Sequence, residues 1–348
     1  MGVSFAVPFI GNQINIMLQE SQAHVKEVTL EIKRVGESKR IDRFISSRFP
    51  DLSRTYIQKL VKEGAIVVNG NVVKSSYFIK KGDVISATVP VPEETKITPE
   101  DIPLNIIYED DYLMLINKPY DMVVHPAGGH PSGTLVNAVT FYCQNLSQIN
   151  GPLKAGIVHR LDRDTSGVML VIKSDAVHSH IAMQFEKRLV KKEYFAVVEG
   201  EVAFDSNEIN MPIGRHRVDR QKMAVRRDTG KNATSVYEVI ERFRGYTLVK
   251  IMPKTGRTHQ IRVHMQAIGH PVVADEMYSK YNACFRSDLL GKERAPDEGS
   301  IIERQALHAH RIEFFHPILN KQMAFQVDMA EDISFLVSAL RELRPLRK

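Results

Sequence analysis

A stretch of six residues, Pro90-Val91-Pro92-Glu93-Glu94-Thr95, sets the first limit on how this chain folds. Two prolines one residue apart, followed by acids, continue neither a helix nor a strand. The 348 residues therefore divide into a short N-terminal part and a long C-terminal one. The expected boundaries are a poorly ordered extension without clean periodicity over 1–30, a small domain over 31–92, a linker over 93–103 and a large domain over 104–348.

Charge follows the same division. Residues 1–92 hold 13 Lys and Arg against 8 Asp and Glu, so +5 of the net +6 lies there. Such a segment is the expected docking surface for a polyanion. Its spacing predicts a helix over 40–49 with Ile41, Phe44 and Ile45 on one face. A second helix, capped by Ser53, repeats the pattern with Ile57, Leu60 and Val61. Asn69-Gly70 between β-branched runs marks a hairpin, residues 80–83 a turn and 84–89 a strand. Arg40, Arg43, Arg54, Lys59 and Lys62 fall on the polar faces. This helix-helix-hairpin module is similar to the RNA-binding domain of a small-subunit ribosomal protein and of several RNA-modifying enzymes.

Beyond residue 104, strand-like runs fall at 113–116, 168–172, 194–198, 247–251 and 312–315, and a helix is expected over 176–189 with Asp175 as its cap. No helix alternates regularly with every strand. The fold class expected is α+β with a mostly antiparallel mixed sheet. Hydrophobic content of 43% and charged content of 25% fit a globular protein. Cys143 and Cys284 are too few for a disulfide framework or a zinc site, which points to a reducing compartment. There is no apolar run long enough for a signal peptide or a membrane span, so the cytoplasm is the expected location and no membrane partner is expected.

The chemistry concentrates in His159-Arg160-Leu161-Asp162-Arg163-Asp164-Thr165-Ser166-Gly167. Asp162 stands between basic side chains, just before a turn and an apolar strand. A neighbouring guanidinium favours an ionised carboxylate, which acts as a nucleophile or an electrostatic stabiliser. Alone, such an acid would pass for a surface ion pair. The nine-residue string, however, resembles the signature of the pseudouridine synthases of the large-subunit ribosomal RNA class (the RluA/RluD family), in which the aspartate is catalytic.

Two further segments carry the resemblance. Lys254-Thr255-Gly256-Arg257-Thr258-His259-Gln260-Ile261-Arg262-Val263-His264 is similar to a second family motif, which implies that Arg262 pairs with Asp162 through the planar fork that Lys cannot copy. Lys191-Lys192-Glu193-Tyr194 opens a strand, and the family's lysine, one residue, tyrosine pattern implies that Tyr194 is an active-site ring able to stack a flipped base. The segment from Asn117-Lys118-Pro119 to His125-Pro126 resembles the first family motif.

The resemblance implies an isomerase that converts uridine to pseudouridine, with a pseudouridine synthase domain over 104–348. It also implies large-subunit ribosomal RNA, or a pre-ribosomal particle, as partner. A monomer is expected. His125, His159, Arg160, Arg257 and His259 are the expected RNA contacts near the site. Arg215 and Arg220 are expected to grip RNA from a projecting loop over 213–223. Neither His259 with His264 nor His308 with His310 has the spacing or companions of a metal site, and a redox-neutral isomerisation needs no cofactor. Three alternatives stay open: a non-catalytic ribosome-assembly factor, a pseudouridine synthase acting on transfer RNA, and an RNA glycosylase that admits water.

Overall fold

A computed structural model describes residues 16–20, 25–33, 40–49, 52, 54–90, 97–126, 130–143 and 145–346. The expected Ser53 cap, residues 91–92 and residues 93–96 of the linker lie outside them. The chain divides into two compact units, Met1–Thr95 and Lys96–Lys348.

The first unit contains β1 (Ile16–Glu20), β2 (Val25–Glu31), α1 (Ile41–Ser46), α2 (Arg54–Lys62), β3 (Ile66–Val68), β4 (Asn71–Val72) and β5 (Val84–Pro90). Its strands form one antiparallel sheet in the order β1-β2-β5-β3-β4. The expected hairpin is present, with Asn69 and Gly70 both at positive φ, 51° and 77°, as a two-residue turn between twisted strands requires. Within the expected N-terminal extension over 1–30, residues 16–20 and 25–30 are strands. Val28, Leu30 and Ile32 are buried while Glu27, Thr29, Glu31 and Lys33 are exposed, the period-two pattern of a strand with one face on the core. The helix expected over 40–49 is shorter. Arg48 and Phe49 both donate their backbone N–H to Ile45 in a tightened last turn, and Pro50, next in the sequence, disfavours helical backbone at Phe49.

The second unit carries β6 (Ile106–Glu109), β7 (Leu113–Lys118), α3 (Leu135–Tyr142), β8 (Ser166–Ile172), α4 (Asp175–Glu186), β9 (Lys191–Glu199) and β10 (Ser206–Asn210). It continues with β11 (Ile213–Arg215), β12 (Met223–Val225), β13 (Thr234–Phe243), β14 (Tyr246–Pro253), α5 (Gln260–Ala267), β15 (Cys284–Phe285) and α6 (Arg286–Leu290). It closes with β16 (Ser300–Ile302), β17 (Leu307–His316), β18 (Lys321–Gln326) and α7 (Glu331–Leu343). The central sheet runs β10-β13-β14-β9-β17-β8-β7-β6, with β18 also on β17. Every pair is antiparallel except β17 with β8.

Strand alternation builds two cores. Met169 and Val171 of β8 join one apolar cluster with Leu135, Val136 and Leu336, and Val168, Leu170 and Ile172 join another with Val177, Ile181 and Phe314. All seven residues of β8 are buried, as a strand covered on both faces must be. The helix expected over 176–189 is α4, capped by Ser174, whose hydroxyl accepts the Ala176 N–H, and not by Asp175. It stops where Arg188 turns left-handed, at φ 61°.

One row across this sheet positions everything that follows. Gly167 lies opposite Ala309, Ala309 opposite Tyr194, and Tyr194 opposite Ile251. A Cβ on Gly167 would stand 2.2 Å from the Ala309 carbonyl oxygen. Only glycine permits that approach. The loop ending at Gly167, the strand bearing Tyr194 and the segment following Pro253 are thus held in register.

Candidate active site

Asp162 sits in the loop that leads into β8, with its side chain 20% exposed. The Asp162 carbonyl accepts the Thr165 N–H, which closes the loop. Below the loop, Lys118 is fully buried and its ammonium donates to the carbonyls of Pro119, Met122 and Arg163 at 2.6, 2.9 and 2.9 Å. Burial pushes the Lys118 ammonium down to about 7. Arg304 closes the other side, donating to the Asp164 carbonyl at 3.0 Å while Asp332 holds its fork at 2.6 and 2.7 Å. Sequence reasoning assigned no role to Lys118 or Arg304.

The flanking arginines do not serve Asp162 as the local sequence suggests. Arg163 turns to Asp164, at 3.0 and 3.1 Å, and Arg160 is exposed. The cation on Asp162 is Arg262, whose Nη1 donates to Oδ2 at 3.1 Å. The expected two-pronged Arg262–Asp162 pair is corrected to a single hydrogen bond. The two-pronged partner is Asp275, fully buried, which accepts from Nε at 2.6 Å and from Nη2 at 2.7 Å. Asp275 also accepts the Met277 and Tyr278 N–H groups, and Ala274 before it adopts φ 56°. Burial would lower the Arg262 pKa, but Asp275 and Asp162 outweigh it and raise it further above the ordinary arginine range.

Arg262 is delivered by α5, and the motif before it is a folding device. The Gln260 side chain accepts from the Thr255 hydroxyl and the Arg257 N–H and donates to the Thr234 carbonyl and the Ser235 hydroxyl. His264 bonds Ser235 and the Met211 carbonyl, away from His259. His259 stands at the helix start with φ 54°. Its Nδ1 lies 2.8 Å from the Tyr278 hydroxyl, and its Nε2 lies 4.0 Å from Asp162 Oδ1. Tyr278 also accepts the Met223 N–H, and a neutral His259 bonds Tyr278 through Nδ1 with its Nε2 on the Asp162 side. Burial lowers the His259 pKa, against a smaller opposing effect of Asp162, and favours this neutral form.

Asp162, Tyr194 and Arg262 line one cavity of about 460 Å³, together with His159, Arg160, Lys192, Arg257 and His259. Tyr194 is 8% exposed, and burial followed by the charge of Asp162 raises its pKa above the ordinary tyrosine range. A second cavity of about 940 Å³ shares Arg160, Asp162, His259 and Arg262 with the first and reaches Gln221 and Lys222. Asp162 therefore borders both cavities. The segment 213–223 is the hairpin β11–β12, with Arg215 and Arg220 exposed.

The other expected RNA contacts separate. Arg257 donates to the Asn232 carbonyl at 3.1 Å and still lines the pocket. His159 is a prop: its Nε2 accepts the Leu170 N–H at 2.9 Å, its ring stacks on Phe185 at 4.7 Å, and burial pushes it down to about 3. His125 lines neither cavity. In the first unit Arg40 and Arg54 are not free cations. Both forks, with Gln58, bind the fully buried Asp42. Burial would raise the Asp42 carboxyl, but Gln58, Arg54 and Arg40 prevail and hold it near about 2. Arg43, Lys59 and Lys62 are exposed.

Residues 112–267 match the RNA pseudouridylate synthase family and residues 39–85 the S4 domain. The chain is 42% identical over 331 residues to an uncharacterized RNA pseudouridine synthase, YlyB, of Bacillus subtilis (strain 168), covering 95% of this chain and 99% of that one. It is 37% identical over 319 residues to the ribosomal large subunit pseudouridine synthase D of Zymomonas mobilis, covering 90% and 97%. The fold is similar to that of human RNA Pseudouridylate Synthase Domain Containing 4, with a TM-score of 0.53 at 23% identity, over 70% of this chain and 95% of that one. The chain belongs to the RNA pseudouridine synthase family.

Proposed function

We propose that this isomerase converts uridines of large-subunit ribosomal RNA to pseudouridine. In this reading Asp162 is the catalytic carboxylate, Tyr194 the ring that receives the extruded base and Arg262 the cation that aims the carboxylate. The observation that carries the reading is the Arg262 hydrogen bond to Asp162 beside Tyr194, in a pocket large enough for one nucleotide. The S4 match and the names of relatives such as the Zymomonas mobilis protein support the choice of RNA.

The reaction breaks the bond between the ribose anomeric carbon and uracil N1, turns the base, and rejoins it through C5. The C5 proton leaves and N1 gains one, so nothing is oxidised or reduced. Asp162 serves as nucleophile at the anomeric carbon, as nucleophile at the uracil ring, or as base toward the ribose. All three roles require an aimed, charged oxygen with one lone pair free. A single bond from Arg262 provides that, because Oδ1 has no hydrogen bond among the described residues. The Tyr194 ring excludes water that would otherwise trap the sugar.

Site-resolved mapping of pseudouridine in cells with and without this protein tests the substrate. Loss confined to large-subunit ribosomal RNA is expected. Loss confined to transfer RNA would overturn the assignment.

A further inference from the structure

The pocket holds a cation that nothing described so far uses. Lys192 lies between two paired neighbours on β9. Lys191 binds Glu313 at 2.9 Å, and Glu193 binds Arg311 at 3.1 Å, both on the opposite face of the strand. Lys192 faces the same way as Tyr194, two residues on, and lines the same cavity. Among the described residues its ammonium has no carboxylate within 4.0 Å and no hydrogen-bond acceptor. It rests 5.9 Å above the Phe185 ring, and a Cβ on Gly256 would touch it at 3.9 Å.

A part-buried ammonium without a protein partner is poorly compensated, because burial removes some of its hydration. Burial accordingly lowers its pKa. The carboxylates in the pocket wall are Asp162 and Glu186, and neither pairs with it. An anionic ligand in this cavity would supply the missing partner. A neutral uracil carbonyl offers a weak dipole, whereas a phosphate offers a full charge and several acceptor oxygens to a group with three donors. Position agrees with this choice. A strand rise of about 3.3 Å per residue separates Lys192 from Tyr194 by about 7 Å along the backbone. A base on Tyr194 with its sugar at Asp162 leaves its phosphate to reach the Lys192 end of the pocket, whose wall also holds Arg188 and Arg257.

Resting on the proposed function, we propose that Lys192 binds a phosphate adjoining the extruded uridine and so sets how deeply the nucleotide enters. The test is single-turnover pseudouridine formation on a synthetic large-subunit ribosomal RNA hairpin that the wild-type protein modifies. The hairpin is made in three forms: with native linkages, with an uncharged methylphosphonate 5′ of the target, and with one 3′ of it. On native RNA, Lys192→Met should slow turnover about 10- to 100-fold, the scale of a lost charge-assisted hydrogen bond, and Lys192→Arg should recover most of it. At one linkage, methylphosphonate should slow the wild type by a similar factor and Lys192→Met hardly further. An equal further loss in Lys192→Met at both linkages, with an unchanged unfolding midpoint, would overturn the proposal. Absence of wild-type turnover on any ribosomal RNA fragment would instead defeat the proposed function beneath it.

Discussion

Arg262 gives Asp275 two hydrogen bonds, at 2.6 and 2.7 Å, and leaves one nitrogen for Asp162. The guanidinium is thus oriented from behind by an acid that is fully buried. One arm reaches the pocket with its direction already fixed, and the carboxylate in the pocket keeps an oxygen free.

Asp275→Asn should therefore disable the enzyme without touching the pocket. The variant leaves Arg262 buried without its countercharge, a loss of about 3 to 5 kcal/mol for a broken buried pair. Urea unfolding reads that cost, and single-turnover kinetics should show at least about a tenfold slower reaction in the folded fraction. A stable variant with wild-type rates would show that Asp275 does not position Arg262.

Arg262→Lys tests the same relationship from the other side. A compact ammonium cannot span Asp275 and Asp162 at once. Rates should fall by about 100-fold or more, with a smaller loss of stability than in Asp275→Asn, because a positive charge still faces Asp275. Near-normal turnover would mean that charge alone suffices.

Contiguous motifs made much of the site legible. The 159–167 loop and the 254–264 segment could be read because each is a contiguous string that resembles a family motif, and each also folds on itself, through the Thr165 N–H bond to Asp162 and the Gln260 bonds to Thr255 and Arg257. Asp275 escaped notice because it lies outside every motif, and nothing local marks an acid whose partner is thirteen residues away across a turn. Arg163 misled for the converse reason, since adjacency to Asp162 suggested a pair that Asp164 takes instead. In the first unit Arg40 and Arg54 looked like surface charge because a single buried acid, Asp42, is invisible in a helix pattern.

His159 predicts an acid sensitivity. Burial, and then the charge of Lys192, pushes its folded pKa to about 3, against an ordinary 6.5. Between those values the unfolded chain binds a proton that the folded one refuses. This group's contribution to stability is whole above pH 6.5 and is lost as pH falls toward 3, by up to about 1.4 kcal/mol per unit. His159→Gln keeps an acceptor for the Leu170 N–H and does not titrate. Denaturant unfolding at pH 7 and pH 5 should show the wild type losing more stability than His159→Gln, and equal losses would refute the assignment.

The five cations expected to bind RNA in the first unit, Arg40, Arg43, Arg54, Lys59 and Lys62, should divide into two groups. Replacing exposed Arg43, Lys59 and Lys62 together by Ala should leave the unit folded and flatten the log-log salt dependence of RNA binding by about 2 to 3, at about 0.7 to 0.9 per phosphate contact. Arg54→Ala should instead lower the unfolding midpoint, because Asp42 loses one of the two forks that offset its burial. An unchanged salt slope in the triple variant would move the RNA surface elsewhere.

The most direct test is Asp162→Ala, assayed by tritium release from large-subunit ribosomal RNA labelled at uracil C5. Asp162 borders a cavity and fills no core volume, so the variant should keep its circular dichroism and its RNA affinity. Tritium release should be undetectable. Release at a substantial fraction of the wild-type rate would place the chemistry on another group and contradict the account.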